Sequence, residues 1–308
     1  MENEINTAPV LSRKLSFMEK TLSLLLRGIP IKHGRHRILD AICPKVWDGS
    51  GSNVAFSFNG CEIVFDPYDL VGWHFVMLKS FDPEVIEVLE KACDPRSQEV
   101  LWDIGANKGA CFCSLAAKLP LLQVVAIEPQ SKLLASNILN LNSLCPDRYE
   151  YVGAGVGEEE AKLALTIPNS NLGRASLHLK QTSSGDEVEV IQIYTASQIV
   201  RNSKYGWPTV IKVDVEGHEP QVFKSLQPCI ESKACKVIVF ENHTSEAEAF
   251  ETIKEITEPY GYQIFGISKS PWSTALLPAR KQKPGITDYA VVRSDLVKEN
   301  KRFAGLIR

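Results

Sequence analysis

The chain has 308 residues, of which 44% are hydrophobic and 23% charged, as in ordinary soluble globular domains. This length allows one enlarged domain or one domain with an extension. The net charge of −3 argues against binding to bulk nucleic acid, which requires a concentrated basic face. No apolar run reaches the roughly 18 residues of a membrane span. Because the chain starts with acidic residues where a signal peptide would be basic, we expect a cytoplasmic protein.

The first 80 residues predict an N-terminal extension made of a helix and a hairpin. Apolar residues recur at helical spacing between residues 15 and 26, which predicts an amphipathic helix. Residues 32–37 are basic, and we expect a solvated loop there, with contact to an anionic substrate as the alternative. Alternating apolar runs on both sides of Asn59-Gly60 are a strong hairpin signal. Such an extension would shape the acceptor site or an oligomer contact.

From residue 81 to residue 295 the pattern is that of one α/β domain, in which strands alternate with helices. This alternation predicts a Rossmann-like sheet, mostly parallel, with helices on both faces. In such sheets ligands bind beyond the carboxyl ends of the strands. Residues 296–308 are expected to be a basic C-terminal tail. The predicted strands are 99–103, 124–127, 149–156, 163–167, 188–194, 210–214, 236–240, 262–265 and 289–292, and the predicted helices are 84–94, 108–119, 130–144, 219–226 and 245–258.

The first motif is a strand that runs directly into a glycine loop and a helix. It reads Asp103-Ile-Gly105-Ala-Asn107-Lys-Gly109, where the glycines allow a sharp turn and close packing of the helix. Glu128 follows at the end of the next predicted strand, and a carboxylate there can accept hydrogen bonds from both hydroxyls of a ribose. The motif therefore predicts a nucleoside site formed by these five residues.

A dinucleotide is the alternative ligand for such a loop. Its fingerprint is G-x-G-x-x-G, whereas here the glycines are four residues apart and an acid precedes them. Asp103 would repel a pyrophosphate but would attract a ligand that carries an ammonium and a sulfonium group. S-adenosylmethionine has both groups and no phosphate, so we interpret the loop as a methyl-donor site. A degenerate loop that only binds is a further alternative.

The second motif places four ionisable groups where a buried strand ends and a helix begins. Lys212, Asp214, Glu216 and His218 follow one another at every second position from residue 212. The alternative is a purely structural role, in which Lys212 pairs with a neighbouring carboxylate and Glu219 stabilises the start of the helix. Because an apolar strand rarely ends in so many titratable residues, we favour a functional site.

These residues resemble the FkbM-type methyltransferases. The resemblance rests on residues 102–109, on Ala126-Ile-Glu-Pro129 and on Ile211-Lys-Val-Asp-Val-Glu-Gly-His-Glu219, supported by residues 169–177, 239–241 and 288–292. It covers about residues 80–293 and departs from the family pattern at Lys108. It implies a seven-stranded methyltransferase sheet with an antiparallel last strand. It also implies methyl transfer from S-adenosylmethionine, usually to a hydroxyl oxygen of a sugar or natural-product acceptor.

Methylation of a hydroxyl requires alignment of the reactants and a base that takes the proton. His218 is the first candidate for this base, because the ordinary pKa of histidine is about 6.5. Glu216 is the rival candidate. Asp214 is expected to orient the donor or the acceptor.

Three oxygen-bearing side chains suggest a second hypothesis for the mechanism, in which the reaction depends on a metal ion. Asp214, Glu241 and Asn242 follow adjacent predicted strands, and oxygen ligands of this kind suit Mg²⁺. We do not favour Mg²⁺ as a cofactor, but its presence would indicate a metal-dependent O-methyltransferase of a catechol-like acceptor.

The acceptor site is less well marked in the sequence than the donor site. Asn171, Arg174 and Ser176 belong to a polar segment that is either an ordinary turn or the acceptor wall, and Lys212 is a further candidate for substrate contact. The expected partner is a small-molecule or glycosidic acceptor, and a homo-oligomer is left open. Alternatives are a binding module without catalysis and an N-methyltransferase of nucleic acid, which the missing basic face argues against.

Overall fold

The N-terminal part of the chain forms a small sheet and three helices in the computed structural model, which describes residues 12–43, 53–168, 175–177, 186–242 and 247–308. Its elements are β1 (Ser12–Lys14), α1 (Phe17–Gly28), α2 (Arg35–Ile42), β2 (Asn53–Phe58), β3 (Cys61–Phe65) and α3 (Leu70–Leu78). The predicted hairpin is present, since β2 and β3 pair antiparallel through a turn in which Asn59 and Gly60 have positive φ. Helix α1 lies where the apolar spacing predicted it and begins with a capping box of Ser16 and Glu19.

Two features of this part differ from the expectation. The basic stretch 32–37 is not a solvated loop, because helix α2 starts within it and His33 is buried, with its ring hydrogen-bonded to Thr274. Helix α3 has no predicted counterpart. It is apolar all round and buried over most of its length, so its sequence lacks the periodicity that marks a surface helix.

The rest of the chain alternates helices with strands. Its elements are α4 (Pro83–Ala92), β4 (Val100–Ile104), α5 (Ala110–Ala116), β5 (Gln123–Ile127), α6 (Leu134–Leu144), β6 (Tyr149–Val152), β7 (Gly155–Val156), β8 (Ala161–Ile167), β9 (Glu187–Tyr194), α7 (Ala196–Asn202), β10 (Val210–Val213), α8 (Glu219–Ser225), α9 (Gln227–Glu231), β11 (Val237–Glu241), α10 (Ala247–Thr257), β12 (Tyr262–Lys269), β13 (Thr274–Pro278), β14 (Asp288–Arg293), α11 (Ser294–Glu299) and α12 (Lys301–Ala304).

The central sheet has eight strands in the order β13-β12-β14-β11-β10-β4-β5-β6. Strand β14 is antiparallel to both of its neighbours, and β10, β4, β5 and β6 run parallel. The Rossmann-like class and the antiparallel last strand are therefore confirmed. Strand β13 is an addition to the expected seven, and it pairs antiparallel with β12 at the edge.

A second, three-stranded sheet of β7, β9 and β8 stands beside the central one. The predicted strand 149–156 is divided between the two sheets. Strand β6 belongs to the central sheet, whereas β7 pairs with β9. A turn in which the N–H of Ala154 donates to the carbonyl of Val152 separates them. The chain thus leaves the main sheet just beyond the carboxyl end of β6, and the small sheet comes to overhang that edge.

Hydrophobic clusters cover both faces of the central sheet. One of them contains Leu26 of α1 together with Phe303 and Leu306 near the C-terminus. The N-terminal elements, the sheet and residues 296–308 thus pack on a common core, and the segment expected as a basic tail forms α11 and α12. None of the helices within the described ranges is long and apolar enough to cross a membrane.

Candidate active site

The glycine loop between β4 and α5 is held by backbone contacts that only glycine permits. Gly105 has φ +74°, and an added Cβ would lie 1.8 Å from the carbonyl oxygen of Asp214. Its N–H donates to the carbonyl of Ile127 at 3.0 Å, which ties the loop to the end of β5. Gly109 precedes α5 with φ +82°, and a Cβ there would collide with the Phe112 ring at 2.1 Å. The two predicted glycines therefore shape the loop around the ends of β5 and β10.

Glu128 connects this loop to the end of β5. Its carboxylate accepts hydrogen bonds from the N–H groups of Asn107 at 2.7 Å and Gln130 at 3.0 Å. The residue is 3% exposed, and burial raises the pKa of its carboxyl to about 7 in spite of these bonds. A carboxylate has about four lone-pair positions, so it can still accept from the hydroxyls of a ribose.

A cavity lies beside Glu128, between the glycine loop and the small sheet; we call it the donor cavity. Asp214, Glu216 and His218 line its other side. Its apolar wall comes from β7, β8 and β9 through Val156, Leu165, Ile191 and Ile193. The free volume is about 70 Å³, whereas small-molecule sites measure roughly 300–1,000 Å³. The apolar side chains of the small sheet therefore narrow the space beside Glu128.

Asp103, expected to meet the ammonium group of the donor, is placed differently. Its carboxylate is fully buried, accepts from the N–H of Phe112 at 3.1 Å and lies 3.9 Å from the Nζ of Lys212. Burial raises its pKa to about 6 against the effect of Lys212. Asp103 does not line the cavity beside Glu128, and its hydrogen bond from Phe112 attaches the end of β4 to the start of α5.

Lys108, the departure from the family pattern, reaches from the glycine loop to the N-terminal part of the chain. Its Nζ pairs with Asp66 at 3.2 Å and also with Asp69, and all three side chains are largely buried. Asp69 in turn accepts from the N–H of Gly72 at 2.9 Å, which caps α3. This ion-pair triad links the glycine loop to the segment between β3 and α3.

A second, larger cleft opens on the other side of the same strand ends. Five acidic residues line it: Asp82, Asp214, Glu216, Glu241 and Asp288. We call it the acidic cleft; its volume is about 570 Å³. Asp214 and Glu216 also line the donor cavity, so these two residues stand between both spaces.

The acids of this cleft strongly perturb one another. Burial, with Asp214 and Asp288 nearby, raises the pKa of Glu241 to about 9, and burial with Asp288 raises that of Asp82 to about 8. Burial and the neighbouring acids therefore favour the protonated form of both carboxyls. Burial alone lowers the pKa of Lys212, but Asp214, at 2.9 Å, and Asp103 overcome this effect and raise it. Lys212 is thus a fixed cation, paired within the protein.

Three residues around the acidic cleft have left-handed backbones, which non-glycine residues rarely adopt. Their φ values are +42° for Asp82, +48° for Asn107 and +52° for Glu216. The hydroxyl of Ser176 donates to the carbonyl of Glu216 at 2.8 Å and so stabilises one of them. Strained residues of this kind cluster at functional sites, where the surrounding structure holds them in place.

Of the predicted catalytic residues, Asp214 and Glu216 meet in the acidic cleft, and His218 does not. His218 directly precedes α8 and lines the donor cavity, near Gly157, but is not among the residues that line the acidic cleft. Asn242 is fully buried, with its N–H donating to the carbonyl of Thr287, and it is not part of the cleft lining.

The predicted substrate residues are only partly described. Ser176 is buried, and its hydroxyl is used within the protein, as described above. Lys212 lines the acidic cleft but is paired with Asp214. Asn171 and Arg174 lie outside the described residues.

Asp82 and Asp288 belong to the cleft but are not among the predicted site residues. Asp288 begins β14 and is the register partner of Glu241 on β11. Because β14 runs antiparallel, its first residue lies at the carboxyl ends of the parallel strands, a position that the resemblance already implied. Asp82 precedes Pro83 at the start of α4, and only the packing of that helix brings it here.

The same chain is similar to known methyltransferases. It is 27% identical over 221 residues to a hexuronic acid methyltransferase, AglP, of Haloferax volcanii, covering 69% of this chain and 79% of that protein. Among solved structures, it resembles an S-adenosylmethionine-dependent methyltransferase from Agrobacterium tumefaciens, with 12% identity, coverage of 79% and 71%, and a TM-score of 0.44. A precorrin-6Y C5,15-methyltransferase from Geobacter metallireducens has 12% identity, coverage of 69% and 88%, and a TM-score of 0.39.

The family model of the methyltransferase FkbM domain matches residues 103–264, which is more than half of the chain. That range includes the glycine loop, Glu128, strand β10 and Asp214, which directly follows β10. The protein therefore belongs to the FkbM family of S-adenosylmethionine-dependent methyltransferases.

Proposed function

We propose that the protein transfers the methyl group of S-adenosylmethionine to a hydroxyl oxygen of a sugar or a similar small natural-product acceptor. The observation that carries this proposal is the pair Asp214 and Glu216, which lines both the donor cavity and the acidic cleft. A donor in the first space and an acceptor in the second would meet at these carboxylates. The relative that acts on a hexuronic acid supports a sugar as acceptor.

The donor residues follow from the cavity. Glu128 would bind the ribose hydroxyls, and the loop 105–109 would lie along the nucleoside. The apolar side chains of the small sheet would cover the adenine. When bound, S-adenosylmethionine supplies a methyl group that its positive sulfur activates. The carboxylates of Asp214 and Glu216 would attract that positive charge, because opposite charges at short distance stabilise each other most strongly away from water.

Glu216 is the residue that we propose as the base for the acceptor hydroxyl. It lines both spaces, whereas His218 lines the donor cavity and not the acidic cleft. Asp214 already accepts a hydrogen bond from Lys212, which fixes its carboxylate and suits a role in orientation. The strained backbone at Glu216 fixes its direction.

Two variants test this assignment. Glu216→Gln should lower turnover by about 10²–10⁴-fold, the usual contribution of a general base, with little change in affinity for S-adenosylhomocysteine, whose sulfur carries no charge. His218→Ala should keep most of the turnover. If His218→Ala loses as much turnover as Glu216→Gln at unchanged donor affinity, or more, the histidine is the base and the present assignment is wrong.

The proposed reaction is tested with S-adenosylmethionine and a panel of acceptors that contains hexuronic acid glycosides, neutral glycosides and catechols. Mass spectrometry should detect a product 14 mass units heavier than the sugar acceptor, and fragmentation should place the methyl group on oxygen. Calorimetric titration with S-adenosylhomocysteine is carried out in parallel. Binding of this compound without transfer to any acceptor would indicate a binding module in place of an enzyme.

A metal-dependent O-methyltransferase of a catechol-like acceptor is the second candidate. Carboxylate oxygens of Asp214, Glu216 and Glu241 lie within 4.8 Å of one another, and three acids so close need either protons or a cation. This set replaces Asn242 of the predicted ligands by Glu216. Loss of activity in EDTA that Mg²⁺ restores would favour this candidate, and full activity in EDTA would remove it.

A further inference from the structure

Helix α1 has apolar side chains on two different faces. Its inner face packs against α3, where Leu26 is 2% exposed and the hydroxyl of Ser23 donates to the carbonyl of Met77 at 2.6 Å. The outer face consists of Phe17, Met18, Leu24 and Leu25, which are 84%, 81%, 67% and 67% exposed. At 100° per residue these four positions share an arc of about 120°. A helix of a soluble domain normally has one apolar stripe, so the second, exposed stripe marks a candidate binding surface.

The surroundings of this face are strongly basic. Residues 12–42 contain seven lysines or arginines and two acidic residues, a net charge of +5, whereas the whole chain has −3. Lys20 and Arg27 are exposed and lie on one flank of the apolar arc, and Lys14 is exposed just before the helix. The acid of the helix, Glu19, is paired with Arg13 at 2.7 Å. Three exposed cations, Lys14, Lys20 and Arg27, therefore lie on or next to α1 close to its exposed apolar face, whereas Lys32 is paired with Glu87.

We propose that the outer face of α1 binds the surface of an anionic lipid bilayer. The four apolar side chains would enter the boundary between headgroups and acyl chains, and Lys20 and Arg27 would contact the phosphates. A second copy of the protein is a poorer partner. An antiparallel two-fold contact between two such helices would place each basic flank beside the same flank of the other copy. An anionic bilayer matches both the apolar face and its charge.

Flotation of the full-chain protein with lipid vesicles tests this proposal. The vesicles contain either phosphatidylcholine alone or phosphatidylcholine with about 30% phosphatidylserine. The protein should float with the anionic vesicles and much less with the neutral ones. The double variant Leu24→Ser/Leu25→Ser should reduce the bound fraction at least about tenfold, since two leucines no longer leave water. Val190→Ser is the matched control, because Val190 is 69% exposed and belongs to β9 of the small sheet, not to α1.

The results distinguish an anionic bilayer from a second copy of the protein as the partner of the outer face of α1. Since the changed side chains are exposed, the thermal midpoint should stay at the wild-type value, and methyl transfer in solution should be unaffected. Binding that is equal with neutral vesicles, or unchanged in the double variant, would overturn the proposal. So would sedimentation that shows a dimer without lipid which the double variant converts to a monomer, because the face would then belong to a second copy.

Discussion

Replacing Lys108 by methionine is expected to reduce the free energy of unfolding by about 3–5 kcal/mol, the cost of removing one partner of a buried ion pair. The side chain of Lys108 is 7% exposed, and those of Asp66 and Asp69 are 12% and 7% exposed, so water cannot replace the lost cation. Asp69 cannot turn away, because it caps α3 through the N–H of Gly72. Methionine fills most of the lysine's volume, so the cost would come from the uncompensated carboxylates.

The assay is urea unfolding followed by tryptophan fluorescence at pH 5 and pH 8. Burial already raises the pKa of Asp69, and loss of Lys108 would raise it further. The folded variant then binds more protons than the unfolded chain above the ordinary pKa of aspartate, so its deficit should grow from pH 5 to pH 8. Lys118→Met is the control, since that lysine is 50% exposed and its pair with Glu90 is worth about 0–1 kcal/mol. If Lys108→Met and Lys118→Met lose the same free energy of unfolding at pH 8, the role of the buried ion pair is refuted.

Two further predictions concern the donor site. Because the pKa of Glu128 is raised to about 7 and ribose hydroxyls donate best to a carboxylate, affinity for S-adenosylhomocysteine should be roughly tenfold weaker at pH 6 than at pH 8. Glu128→Ala should weaken it by about 1.5–3 kcal/mol at pH 8, and a calorimetric titration that finds no change would contradict the ribose assignment. Gly105→Ala should abolish donor binding, because its Cβ would meet the carbonyl of Asp214. Gly285→Ala is the control, because Gly285 has the similar φ of +75° but open space around it, so this variant should lose only about 1–2 kcal/mol of unfolding free energy and keep donor binding. Equal loss of donor binding in both variants would argue against a close approach at Gly105.

The fold was predictable where its pattern is local. The strands of the central sheet are short apolar runs between turn residues, and Asn59-Gly60 determines a hairpin by its own backbone preferences. Helix α3 could not be found in this way, because burial on every side removes the periodicity. Residues 35–37 were misjudged for the opposite reason: their charge indicates solvent, but α2 packs through its one fully buried residue, Leu39.

The parts of the site that lie close together in the sequence were predictable. Glu128 and the glycines of the loop are close in sequence, and their roles follow from spacing. Asp103 shows the limit, since its charge suggested a ligand contact while its depth depends on the packing of α5. Asp82 is more distant still: it comes from the start of α4, outside the motifs, and tertiary packing alone places it beside Asp214.

The contacts of residues 32 and 33 have a consequence for how the chain folds. The N–H of Lys32 donates to the carbonyl of Pro271 at 2.6 Å, and the ring of His33 contacts Thr274, 241 residues further on. Likewise, the side-chain amide of Asn300 donates to the carbonyl of Lys91, 209 residues earlier. Contacts of such sequence separation form slowly, because a long loop must close before they are gained. During synthesis the N-terminal helices therefore emerge long before their partners at the sheet edge exist, and they must wait for β12 and β13 to complete their packing.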